Sequence, residues 1–471
     1  MKSSKPISTG IKTVAIALLS CLLLFVGCGW VATQKGFYDP IASELGKGDF
    51  QKAVEAIETA KAHHKYGQKD RFLYYMDAGL ANHYASHFDT SNAKLTQAEY
   101  ASDELFTKSI SRAIGSFILN DNILEYDGED YEVLYANLIK ALNYMNADNF
   151  DEAFVEVKRA NEKLNLLEQK YADVSKQLKQ SSTVDSSEVN LDYTAKKVRF
   201  NNDAFARYLS MHMYSVEGKM DDAKLDYNLL RQAFAEQPHI YDFDPPQVRY
   251  FSKDKAILSV VGLTGLSPAK EPLNLRIRTD KDLDLVQILY TGPDGEDTHY
   301  GQFSIKISED FYFKFSIPQI VPQTSQVSRI RVSADSVFIG ELQLLENVSL
   351  VAQETFEAKK SIIYLRSVAR AIAKGLATHK AKGKADTGGL VGWLKKAAID
   401  VGSDISENAD LRCSRLLPGR IYVGDFEIEP GTYDLTIEFL DERGALVSTT
   451  KILKYKILRN GLNLVEGFSL N

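Results

Sequence analysis

Few residues have a type and spacing suited to chemistry. His83 and His87 stand four apart, which on a helix puts two imidazoles on one face and suits zinc. Tyr84 follows His83 where a metalloprotease pattern has Glu, and no third ligand is evident, so a surface or core pair is the plainer reading. His63 and His64 are adjacent, point in different directions on a helix, and read as solvated. Asp425, Glu427 and Glu429 alternate along an expected strand; together they could attract a cation, but a charged solvent face explains them more simply. The turn cluster Asp294, Glu296 and Asp297 reads the same way. Cys413 lies between Arg412 and Arg415, an invitation to a lowered thiol pKa, yet no histidine is near it in sequence and a buried, quiet cysteine is the default. Lysines at 374, 380, 382 and 384 offer a contact for an anionic partner, or simply a solvated loop. Nucleophile elbow, phosphate loop and dinucleotide fingerprint are all missing. The expectation is a non-enzymatic protein with no catalytic residues, no metal and no cofactor.

Composition narrows the classes further. A chain of 471 residues, 44% hydrophobic and 25% charged, is globular and long enough for several folding units. Its net charge of -7 leaves no basic footprint for nucleic acid. Three cysteines are too few for a disulfide framework. Two of them sit near the start, where Lys2, Lys5 and Lys12 precede the uncharged run from Thr13 to Gly27. That run is shorter than the roughly 20 residues a spanning helix needs and reads as a secretory signal peptide, with an uncleaved membrane anchor as the alternative. Its end, Phe25-Val26-Gly27-Cys28, resembles a bacterial lipoprotein box, with Cys21 a weaker second candidate because it would cut the apolar run in half. The resemblance implies cleavage after residue 27, acylation of Cys28, and a lipidated tether over 28–36. Two or more acyl chains anchor stably where one does not. Gly29, where Asp is absent, implies sorting to the outer membrane, lipid-anchored and facing the periplasm. Cleavage also removes three lysines, so the remaining chain is more acidic and attraction to anionic lipid plays no part.

Residues 37–248 read as a helical repeat domain. Four segments share a turn, acidic or amide residues, then alanine and apolar residues at helical spacing. Their alanines are Ala53, Ala93, Ala153 and Ala223, and Tyr84, Tyr144 and Tyr214 each precede one of the last three by the same interval. The register resembles tetratricopeptide repeats, in which the small residue lets two helices approach and the tyrosine fills the facing gap. The alanines do not keep the roughly 34-residue period of such repeats, so the array is irregular. The polar stretch 181–190 is the clearest loop. Stacked helix pairs make a concave surface that serves as a protein or peptide groove.

At Gln237-Pro238 and Asp244-Pro245-Pro246 the helical pattern stops, and 249–471 reads as a β-rich domain. Period-two runs mark strands near 258–261, 273–278, 286–289, 303–307, 312–315 and 330–332, then from 421 to 465. Asp441-Glu442-Arg443-Gly444 is a hairpin turn. A helical insertion over about 354–400 interrupts the strands. Phe356 and Ile363 face inward along its first helix, Lys359, Lys360 and Arg366 lie elsewhere on its surface, and a short helix follows over 390–399. The Leu-Pro-Gly and Pro-Gly-Thr-Tyr turns resemble those of extracytoplasmic β-sandwich modules. The fold class is α+β multidomain, a helical array followed by a sandwich-like β-rich domain with an inserted long helix.

The lipoprotein box, the run Tyr126-Asp127-Gly128-Glu129-Asp130-Tyr131-Glu132, Gly262 to Lys270, Ala409-Asp410-Leu411-Arg412, Leu417-Pro418-Gly419 and Pro430-Gly431-Thr432-Tyr433 together resemble a family of bacterial lipoproteins with tetratricopeptide-like repeats before a β-containing C-terminal half. That family brings no catalytic residues to carry over, and Cys413 stands where its pattern often has Trp. The resemblance implies a scaffold or assembly factor: the membrane is held through Cys28, envelope proteins are bound by the repeats, and nucleic acid is not a partner. Glycan or peptidoglycan binding by the β half, or a metal-dependent envelope hydrolase using His83 and His87, are the alternatives.

Overall fold

The structure is a computed structural model that describes residues 33–116, 124–181, 199–292, 296–304, 310, 312–357, 359–360, 363–364, 367 and 409–471. The signal segment, Cys28, the loop 182–190, the turn 293–295 and the short helix expected over 390–399 lie outside these residues.

Helices come first, in pairs: α1 (Thr33–Gly46) with α2 (Phe50–Ala62), α3 (Arg71–Tyr84) with α4 (Phe88–Ser116), α5 (Asp130–Asn146) with α6 (Phe150–Ser181), and α7 (Ala204–Val216) with α8 (Met220–Glu236). The connections 47–49, 85–87, 147–149 and 217–219 have identical length. The middle residue of each is left-handed: Gly48 at φ 75°, Ser86 at 61°, Asp148 at 54° and Gly218 at 75°. A residue in that conformation ends the first helix and turns the chain back, which is why Gly or a short polar residue stands there.

Counting from that turn residue, Ala53, Ser91, Ala153 and Ala223 hold one common place on the second helix, and all four are fully buried. Ala93, the expected packing alanine of the second pair, is exposed. The register there is shifted by two residues, because the left-handed turn residue and not the aromatic spacing fixes where the helices meet. Ser91 is the small residue that closes α3 on α4; its hydroxyl donates to the Gly79 carbonyl at 2.7 Å. A Cβ on Gly79 would lie 2.6 Å from Leu95, so the approach needs glycine. Tyr144 and Tyr214 are half-buried at the matching place on α5 and α7, the latter edge-on to Phe154 at 4.7 Å. In α3 that place belongs to Asn82, and Tyr84 points into the β half instead.

The strands are β1 (Ala256–Leu266), β2 (Ala269–Asp280), β3 (Leu285–Thr291), β4 (Asp297–Ser304), β5 (Tyr312–Val321), β6 (Arg329–Ala334), β7 (Val337–Glu341), β8 (Gln343–Asn347), β9 (Pro418–Ile428), β10 (Gly431–Leu440), β11 (Leu446–Ile457) and β12 (Asn463–Ser469). They form three four-stranded sheets ordered β12-β1-β9-β8, β4-β3-β2-β5 and β11-β10-β6-β7. All described pairings are antiparallel except β1 with β12. A further helix, α9, starts at 348 directly after β8, earlier than the expected 354, and is described to 367. Asp441 ends β10 as expected, its carboxylate accepting from the Arg443 and Ala445 amides at 2.9 and 2.7 Å.

β1 is buried along nearly its whole length because both faces of its sheet are covered. Leu258 and Val260 face Ile330, Val332, Ile437 and Phe439 of the β11-β10-β6-β7 sheet. Val261 and Leu263 face the other way, into a core that continues through Leu345, Phe72 and Tyr38 to the helices. The change from helix to strand falls between Glu236 and Ala256, around the expected division at 248, yet one hydrophobic core runs across it.

The shared register makes a direct prediction. Ala153→Leu forces methylenes into a closed helix contact and should cost about 1–3 kcal/mol. Ala93→Leu, on an exposed face, should stay within about 0.5 kcal/mol. Urea unfolding of both variants reads the difference, and equal costs would contradict the register.

Candidate functional site

The first helix of each pair faces the β half. Nearly all of Phe72–Tyr84 in α3 and Tyr131–Asn143 in α5 is buried, whereas in α8 only Ala223, Asp226, Leu230, Ala233 and Phe234 are. Between α1, α3 and α5 on one side and β1 and β2 on the other runs the extended segment 409–417. Its backbone has no strand partner along most of this length, so side chains must satisfy it.

They do so residue by residue. The Ser414 amide donates to Glu132 Oε1 at 2.6 Å, and the Ser414 hydroxyl to Asp77 Oδ1 at 2.7 Å. Tyr84 donates to the Leu416 carbonyl at 2.8 Å. The Tyr38 hydroxyl lies 2.5 Å from Asp77 Oδ2 and 3.2 Å from the Cys413 carbonyl; Tyr66 donates to the same carboxylate oxygen at 2.9 Å. From the β half, the Ser267 amide donates to the Leu417 carbonyl at 2.7 Å. Arg412 anchors the start, donating to Asp410 at 2.9 and 2.7 Å, to Asp70 at 3.1 Å and to the Leu124 carbonyl at 3.0 Å.

A second layer of charge closes around this segment. Glu129 takes the ammonium of Lys270 from β2 and that of Lys359 from α9, the latter at 3.2 Å. Lys359, expected on the helix surface, is drawn inward by this carboxylate and by Asp127 at 3.6 Å. Glu129 donates its amide to Glu132 Oε2 at 2.9 Å, and Tyr126 donates to the same oxygen at 2.8 Å. Residues from the runs 126–132, 262–270, 409–412 and 417–419, distant in sequence, therefore meet at one place.

Burial sets the protonation here. It pushes the Asp77 carboxyl up to about 7. Burial, then the charge of Glu129, pushes Glu132 up to about 8. Burial opposes ionisation of Asp410 too, but the Arg412 charge and hydrogen bonds outweigh it and hold that carboxyl down at about 2. Burial raises the Cys413 thiol to about 11 despite the nearby cations, the reverse of an activated thiolate.

No family model, curated protein or solved structure matched the chain. Ser414 is fully buried, with its hydroxyl donating to the Asp77 carboxylate. What the arrangement does chemically is hold an extended chain through its backbone.

The other candidates are scattered. Helix α3 ends at Tyr84, so His83 and His87 do not share a helix. His83 Nδ1 sits 2.7 Å from Asn143 Oδ1 and its Nε2 3.6 Å from Glu466, whereas His87 contacts Asn82 at 3.2 Å. Among the described residues no group of three or more His, Cys, Asp and Glu could hold a metal ion. Asp425 is not a solvent carboxylate: α7 covers its side chain completely, with Tyr208 donating to it at 2.8 Å, the Arg249 amide at 2.7 Å, and His212 Nε2 3.2 Å away. Ser259, opposite Asp425 across the β1–β9 ladder, lies 3.4 Å from both ring nitrogens of His212. An equal, long distance to both nitrogens aims neither lone pair squarely at the hydroxyl. Sequence reasoning missed Asp77 and His212, each a polar residue at a core position of an apolar helix, the one signal that could have marked it, and met Glu132 only as part of a family resemblance.

Asp77 and Glu132 both have raised values in the folded chain, so between about pH 4 and 8 the folded state holds protons that the unfolded state has released, and stability falls as pH rises through that window. Asp410 and Glu99, held at about 2, act oppositely and lose their contribution only as the pH drops below the ordinary carboxylate range. Asp77→Asn keeps the shape and removes one titration. Urea midpoints measured between pH 5 and 8 should decline less steeply in the variant; an unchanged slope would count against a protonated Asp77.

Proposed function

We propose that the chain is a non-enzymatic outer-membrane lipoprotein, acylated on Cys28 and facing the periplasm, that acts as a scaffold or assembly factor for envelope proteins. The four helix pairs, with their common turn and small-residue register, read as tetratricopeptide-like repeats. The two sheets that share the core around Val260 and Ile437 read as a sandwich.

One observation carries the protein-binding reading and moves its location. The face of the array that would receive a peptide is filled by the chain's own segment 409–417. The second helices of the pairs instead display large apolar side chains to solvent: Tyr100 on α4 at 62% exposure, Leu166 on α6 at 58% and Leu225 on α8 at 56%. Large apolar residues presented on successive helices suit a protein partner better than a glycan, which would call for polar and aromatic platforms. Among the described residues no helix is long and apolar enough to cross a membrane.

Crosslinking in intact cells, followed by purification, should recover specific envelope proteins from the wild-type chain. Recovery should fall in a Tyr100→Glu, Leu166→Glu, Leu225→Glu variant, which alters only exposed positions. Cys28→Ser should abolish incorporation of labelled palmitate into the chain. Recovery unaffected by the triple variant would place the partner elsewhere, and a Cys28→Ser chain labelled as strongly as the wild type would remove the lipid anchor.

A further inference from the structure

A cavity of about 320 Å³ opens at the seam between the halves, beneath the end of α7 and between the stretches 250–257 and 459–463. Its size falls within the range of roughly 300–1,000 Å³ typical of small-molecule sites. Nothing in the scaffold reading uses it, and its lining is graded from one end to the other.

The gradient follows β1. Ile257 and Ser259 alternate along the strand and so share the face that lines the cavity, and Lys255 stands in the bend just before the strand. At the Lys255 end the side chains are cationic, with Arg459 as the second charge. Lys255 is only loosely engaged, 3.5 Å from the exposed Glu429, and one guanidinium nitrogen of Arg459 donates to the Lys253 carbonyl at 2.9 Å. Glu217 also lines the cavity, but Lys219 neutralises it at 2.7 Å. The middle is apolar, formed by Ile257 and Leu462, and Phe251 stands at the wall with 55% of its surface exposed. At the far end are the Ser259 hydroxyl and the His212 ring, both almost wholly buried. The Ser259 hydroxyl meets Tyr208 and lies 3.4 Å from His212, and its oxygen, with two lone pairs, keeps room to accept one further hydrogen bond. Asp425 lies 3.2 Å behind His212, so a neutral group suits that end better than an anion.

We propose that this cavity binds a small carboxylate with an apolar middle and a neutral hydroxyl at its far end. The carboxylate lies between Lys255 and Arg459, the middle against Ile257 and Leu462, and the hydroxyl meets Ser259 and His212. Because α7 belongs to the helical half and β1 to the β half, such a ligand bridges the seam and stabilises the folded chain by mass action.

Three probes of nearly equal size separate the elements of this recognition: para-hydroxyphenylpropionate has both ends, phenylpropionate lacks the hydroxyl, and para-hydroxyphenylpropanol lacks the charge. Calorimetric titration of the full chain should show para-hydroxyphenylpropionate binding tightest of the three and raising the unfolding temperature most. A Lys255→Ala, Arg459→Ala double variant, altered only at the cationic end, should weaken both carboxylates by about tenfold and leave the alcohol unchanged. Ser259→Ala should reduce para-hydroxyphenylpropionate to the level of phenylpropionate. Absence of saturable binding by all three probes at millimolar concentration, equal binding of acid and alcohol, or full binding by the double variant would each overturn the proposal.

Discussion

A length of extended backbone buried without a strand partner is the constraint on which the rest of the molecule turns. Amides and carbonyls withdrawn from water must be met by something, and over 409–417 they are met by tyrosine hydroxyls, a glutamate and a serine drawn from elements far apart in the chain. Each of these groups is useful only where it stands, so the segment fixes the positions of α1, α3 and α5 relative to β1 and β2. The helical array is in this sense not a free repeat domain with an appendage. It is one wall of a shared interior.

The charges around the segment follow from the same constraint. Glu129 would be costly so far from water, and Lys270 and Lys359 arrive from two different elements to offset it. Arg412, with Asp410 and Asp70, is a similar knot at the start of the segment. Among the described residues no cation stands as close to Asp77 and Glu132, and both keep their protons to higher pH. Pairing and protonation are thus two answers to one desolvation problem, chosen according to whether a cation can reach.

What the sequence disclosed and what it hid divide along the range of the interactions. Strand positions such as 273–278 and 433–440, the hairpin at Asp441, and the repeated turn before Phe50, Phe150 and Met220 depend on neighbours in the chain and were legible. The second repeat was misplaced by two residues because Ser91 does the work of alanine and Tyr84 mimics a repeat tyrosine while serving the β half. Lys359 and Asp425 looked like solvent residues because their partners lie far away in sequence, in 127–129 and in α7. His83 and His87 looked like a pair because the end of α3 at Tyr84 has no proline or glycine to announce it. Asp77, at the centre of the site, was passed over because a single acid in an apolar helix is conspicuous only once its surroundings are known, and Glu132 stood out only as the end of the run 126–132.

β1 also has a temporal meaning. It is the first strand of the β half, yet its two neighbours in the sheet are β9 and β12, the second of which ends two residues before the last residue of the chain. Until those distant strands arrive, both edges of a strongly apolar strand are unpaired, and the extended segment that completes the helical interior has not arrived either. Closing such long loops is slow, and the waiting strand is the kind of surface that pairs wrongly. The helical pairs are made of local contacts and can form early, so they are the natural cover for β1 during that interval, sheltering an incomplete sheet before they become part of its wall.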